Sequence, residues 1–240
     1  IVIGTGGVVE TESVALFADV NLDLTERLHL GLGIRYTEDS KSGTVFRANY
    51  LGATRSPLLG GTVRAPLLVR SDYTNDRTFD DISPRVALSY DFSDAITGYA
   101  SWSSGFKSGG FDMRGDAILT PDTVNGYNSE TVDSYEVGLK GRAGPLSFSS
   151  SVFYNQYEDQ QVTTQVPAVG GIASFVDNVG QSTLYGAEFE GALFLTENLS
   201  ANFAVGYLNS EFDEFLRYNL TTMAYEDISD LVVLQNAPEW

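Results

Sequence analysis

The chain has 240 residues and a formal net charge of −18 at pH 7, from 32 acidic and 14 basic residues. This sign excludes binding to nucleic acid through a broad basic surface. The absence of cysteine excludes disulfides and thiolate metal sites, and the sequence has no apolar run of about 18 residues that would predict a transmembrane helix. The 24 glycines, 14 phenylalanines and 13 tyrosines favour strands and turns. The composition therefore predicts an all-β protein.

The first predicted hairpin comprises strands at residues 13–24 and 28–38. Every second residue is apolar from Val14 to Leu24, and again from Leu28 to Tyr36, while polar residues or glycine occupy most of the alternate positions. A period of two is typical of a strand with one apolar face. The polar residues 25–27 are predicted to form a tight turn between the two strands.

Three further hairpins with the same pattern follow along the chain. Their strands are predicted at 84–92 and 95–104, at 130–142 and 146–157, and at 179–195 and 199–212. Within each hairpin the turn is very short, whereas the hairpins are separated by long polar stretches that are predicted to be irregular loops. These predicted loops are residues 39–78, 105–129, 158–178 and 213–237.

This alternation places every short turn at one end of the sheet and every long loop at the other. The strands are roughly 10 to 12 residues long, which is enough to cross a bilayer at a tilt. The sequence therefore predicts one domain over residues 1–240, an antiparallel up-and-down transmembrane β-barrel segment of about eight strands. Aromatic residues at the loop-side strand ends (Tyr36, Trp102, Tyr154 and Tyr207) are placed to reach the lipid headgroups, although aromatics are also ordinary strand-end residues.

Several strings in the chain resemble those of TonB-dependent receptors. They are LDLTERL at 22–28 with GIRYT at 33–37, YAS at 99–101 with GFKSGGF at 105–111, ETV at 130–132 with YEVGLK at 135–140, FYNQY at 153–157, YGAEFE at 185–190 and NAPEW at 236–240. Their order and spacing match the family over nearly the whole chain. The resemblance implies a barrel of about 22 strands around a plugged lumen, of which this sequence would supply about eight. The plug and the energy-coupling segment are expected upstream.

The resemblance also implies a function, which is energised uptake of a scarce ligand across the bacterial outer membrane. A ferric siderophore is the favoured ligand, and cobalamin or an oligosaccharide remains open. The implied partners are the TonB complex, reached through the plug, together with outer-membrane lipid and lipopolysaccharide; no cofactor is implied. Two alternatives from other classes are a passive porin-like channel and a secreted β-sandwich binding module.

Candidate ligand-binding residues come from two predicted loops. The first, residues 39–78, holds six of the chain's basic residues, and a cationic external loop would attract an anionic iron chelate by long-range steering. Contact with lipopolysaccharide phosphates, or solubility alone, is the competing interpretation. The second loop begins with GFKSGGF, whose glycines could equally serve only to bend the strand end. The candidates are Arg47, Tyr50, Arg55, Arg64, Arg70, Phe106, Lys107 and Phe111.

Charged residues on the polar face of the strands are predicted to point into a wet lumen or towards a plug, mostly as ion pairs that brace the wall. They are Arg35, Arg85, Glu136, Lys140, Glu188 and Glu190. The acidic residues after position 210 could hold a calcium ion, but they lack EF-hand spacing, so a solvated surface is favoured and no metal site is assigned. His29 is the sole histidine, and no catalytic motif occurs, so an enzyme is not expected.

Overall fold

The computed structural model describes residues 2–51, 65–168, 171–219, 222, 224–234 and 237. In this part of the chain, nine antiparallel strands form one sheet in sequence order. The all-β, up-and-down prediction is therefore confirmed, and the β-sandwich alternative is wrong because there is one sheet rather than two. The strands are β1 (Val2–Asp23), β2 (Leu28–Tyr50), β3 (Leu68–Ser93), β4 (Ile96–Lys107), β5 (Glu130–Ala143), β6 (Leu146–Ala168), β7 (Gly171–Thr196), β8 (Leu199–Asn219) and β9 (Ala224–Asp227).

The four predicted short turns all lie at one end of this sheet, between β1 and β2, β3 and β4, β5 and β6, and β7 and β8. Local chemistry explains two of them. The Thr25 hydroxyl accepts hydrogen bonds from the backbone N–H groups of Arg27 (3.2 Å) and Leu28 (3.0 Å), which is typical of a threonine-capped turn. Gly144 adopts a φ of 60° in the β5–β6 turn, a conformation that glycine reaches without strain.

The predicted long loops are mostly wrong, because the strands continue far into them. β2 runs to Tyr50, β3 begins at Leu68, β6 and β7 approach each other at residues 168 and 171, and β9 lies inside the last predicted loop. Strand pairing uses backbone groups and needs no apolar side chain, so the ladder continues where both faces are polar. Among the described residues, the segment between β4 and β5 is the one long connection of irregular structure, and it contains a short 3₁₀ helix at Pro121–Asn125.

The apolar residues of the two-residue repeat lie on one face of the sheet and are exposed. Leu16 and Val205 have 77% and 57% of their surface accessible. The described residues bury only five apolar side chains, and all five belong to the loop-side half of the sheet or to the segment between β4 and β5: Val45, Ala48, Phe79, Phe111 and Val179. We call the apolar face the outer face and the opposite one the inner face. An exposed apolar face this extensive requires a nonaqueous neighbour.

A row of aromatic residues crosses the outer face of four neighbouring strands. Trp102 lies opposite Tyr135, Tyr135 opposite Tyr154, and Tyr154 opposite Tyr185, so the four rings lie at one level. Such rows mark the headgroup level of membrane barrels. Beyond Tyr36, β2 continues for roughly 14 residues, or about 45 Å along the strand at about 3.3 Å per residue. The described residues include no helix long and apolar enough to span a membrane.

Candidate functional site

The segment between β4 and β5 lies against the inner face of β2 and β3, beyond the level of the aromatic row. We call residues 108–129 the inner loop. It lies against inner-face residues of the two strands. These residues occupy odd-numbered positions, as do Arg35 of β2 and Arg85 of β3 on the same face. The chain therefore places this connection inside the wall rather than outside it.

Side chains of β3 hold the inner loop by a column of hydrogen bonds at every second residue. The Ser71 hydroxyl donates to the Gly115 carbonyl (2.8 Å), the Tyr73 hydroxyl to Thr123 (3.1 Å) and the Asn75 amide to Val124 (2.8 Å). Arg77 then donates to the carbonyls of Asn125 (3.1 Å) and Tyr127 (3.3 Å). These side chains satisfy backbone carbonyls that would otherwise have no partner in a nonregular segment.

Three cations under the inner loop bind neutral carbonyl oxygens instead of carboxylates. Lys41 donates to the Gly109 carbonyl at 2.6 Å, Arg47 donates to the Arg114 carbonyl, and Arg77 binds the carbonyls named above. Lys41 and Arg77 also lie 5.9 and 4.6 Å from the ring centre of Phe79, as cation–π pairs do. Burial lowers the pKa of Lys41. The inner face at this level therefore carries three cations whose described hydrogen bonds go to uncharged oxygens, with Asp39 close enough to Lys41 to act electrostatically on it.

Arg70 and Asp116 form a buried ion pair between β3 and the inner loop. The exposed fractions of their side chains are 8% and 2%. The register of β2 and β3 shifts next to Arg47, where Arg47 pairs with Ser71 and Ala48 pairs with Val69. Arg70 is thus the extra residue of a β-bulge, which re-aims a side chain. The bulge allows Arg70 and the adjacent Ser71 both to bind the inner loop.

Phe111 fills the space over Gly43 of β2. A β-carbon at Gly43 would lie 2.5 Å from two ring carbons of Phe111, so the ring occupies the place of a side chain. Gly126, in the returning half of the inner loop, has a φ of 69° and faces the other edge of the same ring. Two glycines therefore allow Phe111 to seal the inner loop onto the sheet.

Replacing Gly43 by alanine is expected to displace Phe111 and to loosen the inner loop by about 1 to 3 kcal/mol, the usual cost of overpacking. Hydrogen–deuterium exchange should report this as faster exchange of the Gly110 amide, which donates to the Tyr127 carbonyl. Gly6→Ala is the matched control, because a β-carbon at Gly6 meets nothing within 4 Å. Equal exchange in the two variants would contradict the sealing role of Phe111.

The inner loop is also fixed to β7, which lies four strands away from β3 in the sheet. The backbone N–H of Val176 donates to the Asp112 carboxylate at 2.7 Å, and the same carboxylate pairs with Arg114 at 2.8 Å. Asn128 and Asn178 exchange two hydrogen bonds, of 2.6 and 3.1 Å. Burial raises the pKa of Asp177 between these two contacts. The inner loop therefore spans the interior from β3 to β7.

The predicted ligand-binding residues have different environments. Arg47 and Arg70 are covered by the inner loop, and Phe111 of that loop is buried against the sheet, with exposures of 7%, 8% and 6%. They are therefore not free charges or rings on an external loop. Tyr50 packs against Gly4 on β1. Phe106 and Lys107 end β4, opposite Thr131 and Glu130, and Lys107 pairs with Glu130 at 3.5 Å. Arg55 and Arg64 lie outside the described residues.

The six residues predicted to face the lumen share the face on which the inner loop lies. None of the six forms an ion pair within 4 Å among the described residues, so the expectation that they brace the wall as ion pairs stays a prediction. Arg35 donates to the Thr37 hydroxyl at 3.0 Å, and Glu136 accepts from Tyr99 at 2.5 Å. The remaining four lie opposite small residues of the neighbouring strands. They are Arg85, Lys140, Glu188 and Glu190.

Sequence reasoning missed the residues that hold the inner loop in place. The alternation of Ser71, Tyr73, Asn75 and Arg77 with acidic and threonine residues is a visible two-residue period, and it could have indicated a strand with a hydrogen-bonding inner face. Asp112, Arg114 and Asp116 gave no comparable signal. In the acidic last segment, Asp227 accepts hydrogen bonds from Phe215 and Ser229, and within the described residues no three acidic or histidine side chains converge as a metal site.

Comparison with known families gives a match over residues 3–240 to the family model described as TonB dependent receptor-like, beta-barrel. The chain belongs to the TonB-dependent receptor family. The barrels of this family are bacterial outer-membrane proteins. The open nine-stranded sheet is part of such a barrel.

Individual relatives of this receptor segment are distant. The pesticin receptor of Yersinia enterocolitica is 21% identical over 206 residues, which are 86% of this chain and 27% of that protein. The solved ferric yersiniabactin uptake receptor of Yersinia pestis superimposes with a TM-score of 0.67 at 18% identity, covering 88% of this chain and 28% of that one. The ferric-catecholate import receptor of E. coli gives 0.63 at 15% identity, covering 90% and 30%. The chain thus spans about a quarter of its curated relatives' length, and these likenesses show the fold alone.

Proposed function

We propose that the protein containing this chain imports a ferric siderophore across the outer membrane, driven by the TonB complex. Membership of the receptor family over residues 3–240 is the observation that carries this proposal. Three of its structural neighbours are described as receptors or transporters of ferric yersiniabactin, ferric catecholate and ferric citrate. The TonB complex would act through a plug inside the barrel, and lipid and lipopolysaccharide would surround the outer face.

The inner face near the loop-side end supports an anionic ligand. Lys41, Arg47 and Arg77 donate hydrogen bonds only to uncharged oxygens among their described contacts, which groups three cations on this part of the inner face of an otherwise acidic chain. Ferric complexes of carboxylate or catecholate chelators are commonly anionic, and arginine suits their oxygen atoms. This charge distribution favours the siderophore over cobalamin or a neutral oligosaccharide.

The test is iron accumulation from a panel of ferric chelates by iron-starved cells with and without the gene. We expect accumulation of at least one chelate to fall to background in the deletion strain and to return with the gene. Dissipating the proton-motive force should abolish this gene-dependent accumulation. Passive diffusion through a porin-like channel would instead continue. Accumulation that is independent of the gene for every ferric chelate would contradict the proposal. Copper accumulation is measured in the same strains, because one structural neighbour is described as a copper transporter.

A further inference from the structure

Two arginines lie side by side on the inner face where the strands β2 and β3 bulge. Arg47 pairs in register with Ser71, and Arg70 is the adjacent bulged residue. Both side chains are more than nine-tenths buried beneath the inner loop. Two guanidinium groups at such close positions repel each other unless anionic or strongly polar groups lie between or upon them. The inner loop supplies these groups.

The two arginines are satisfied to different degrees. Arg70 donates to the carboxylate of Asp116, which is the partner that a guanidinium fork binds best. Arg47 donates through Nη1 to the Arg114 carbonyl, but its buried Nε has no hydrogen-bond partner within the described residues. This Nε is one of the five donors of a guanidinium group, so Arg47 has one unsatisfied buried donor among the described residues, beside a bound carboxylate. The arrangement resembles an anion site that is occupied by part of its own chain.

We propose that Arg47 and Arg70 form a binding site for a small carboxylate ligand, which the inner loop masks by placing the Asp116 carboxylate in it. A ligand carboxylate would replace Asp116 on Arg70 and the Arg114 carbonyl on Arg47. The loop is tethered beside the site at a high effective concentration. The apparent Kd for the ligand therefore equals the intrinsic Kd divided by the fraction of molecules in which the loop is displaced. The site is weak until the loop leaves.

The direction of the two side chains favours a solute over a lipid phosphate. Both arginines contact the inner loop, on the face that also carries Lys41 and Arg77. The outer face at this level carries exposed carboxylates at Glu38, Asp72, Asp76 and Asp80, which repel lipid phosphates. A headgroup would have to cross the wall to reach Arg47. An anion that enters the lumen from the mouth reaches the inner face on which Arg47 lies, and only the inner loop stands between them.

The inference depends on the proposed uptake function only for its biological role, because binding and masking can be measured on the purified receptor without transport. Citrate is a suitable probe, since it carries three carboxylates and no iron is needed. Binding is measured by titration calorimetry at low salt on the full-length receptor in detergent. Asp116→Asn should bind citrate about 10-fold more tightly than the parent, because the loop loses its charged contact and Arg70 becomes available.

Two variants test whether this gain belongs to the site. Asp122→Asn removes the same charge from an exposed position of the inner loop that has no ionic partner among the described residues, and it should bind citrate as weakly as the parent. Adding Arg70→Gln to Asp116→Asn should abolish the gain. An unchanged affinity in Asp116→Asn, or an equal gain in Asp122→Asn, would overturn the proposal.

A second measurement does not depend on the folding of Asp116→Asn. Val45 is completely buried, although it lies on a single-layer sheet. Its register neighbour Tyr73 donates a hydrogen bond to Thr123 of the inner loop, and a β-carbon at its other register neighbour, Gly7, would lie 3.2 Å from the Met113 sulfur of that loop. In the otherwise unchanged receptor, Val45→Cys should react slowly with a polar maleimide, and citrate should increase the rate several-fold. A rate that citrate does not change refutes displacement of the loop. That result would leave the uptake proposal standing, because iron accumulation is measured separately.

Discussion

Replacing Arg70 by alanine is expected to release the inner loop from β3, with a loss of about 3 to 5 kcal/mol in the stability of the bound loop, because the substitution leaves a buried carboxylate without its partner. Asp116 also accepts hydrogen bonds from the backbone of Ile118 and Leu119, so its movement should free the adjacent turn. Hydrogen–deuterium exchange of the full-length receptor should show faster exchange at residues 115–120, with the strand amides near the turns unchanged.

The double variant Arg70→Ala, Asp116→Ala separates two contributions to the stability of the bound loop. One is the destabilisation caused by an unpaired buried charge, and the other is the stabilisation that the intact ion pair provides. It should recover much of the protection lost in the single variant, because no unpaired charge remains under the loop. Arg27→Ala, at an exposed position in the β1–β2 turn, is the control for removing a positive charge. If the single and double variants exchange equally fast, the ion pair is not what holds the loop.

Replacing Val205 by arginine is expected to impair assembly of the receptor in the outer membrane. Val205 lies on the outer face of β8, at the position opposite Phe189 of β7, and 57% of its surface is exposed. A charge on the lipid face costs about 2 to 4 kcal/mol near the bilayer midplane. The folded fraction in outer-membrane preparations, measured by heat-modifiable migration in gel electrophoresis, should fall sharply.

The neighbouring residue provides a matched control. Ala204 precedes Val205 on the same strand and lies opposite Glu190 on the inner face, so Ala204→Arg places the same charge against the polar interior. This variant should assemble to nearly the parent level. A defect of equal size in both variants would mean that the two faces of β8 do not differ in environment, and the outer face would not be the lipid face.

The apolar outer face of the sheet was predictable from sequence. Outward positions of a membrane barrel are apolar, so the alternation from Leu28 to Tyr36 indicates which residues point outward. The short turns were equally clear, because two alternating stretches joined by a few polar residues leave little freedom in register. Above the aromatic row this constraint disappears. In β2 from Thr37 to Thr44 both faces carry only polar residues or glycine, and the sequence no longer separates a strand from a loop.

The site depended on contacts that no local pattern reveals. Arg70 and Asp116 are 46 positions apart in the chain, and they meet only because the inner loop turns inward. The bulge at Arg70 also breaks the two-residue period, since it lets two consecutive residues, Arg70 and Ser71, contact the same loop. A regular alternation would place one of them outside. Sequence reasoning singled out Arg47 and Arg70 but assigned them to an external loop.

The attachment of the inner loop at both ends has a mechanical consequence for the rim of the wall. The loop joins β3, through Ser71 and its neighbours, to β7, through Val176 and Asn178. It therefore connects these two strands directly across the concave side of the strands between them. The distance between β3 and β7 is then set by the inner loop rather than by the curvature of the sheet. Spin labels on the outer surfaces of β3 and β7 should therefore give a narrow distance distribution. The distribution should broaden when the inner loop is cleaved.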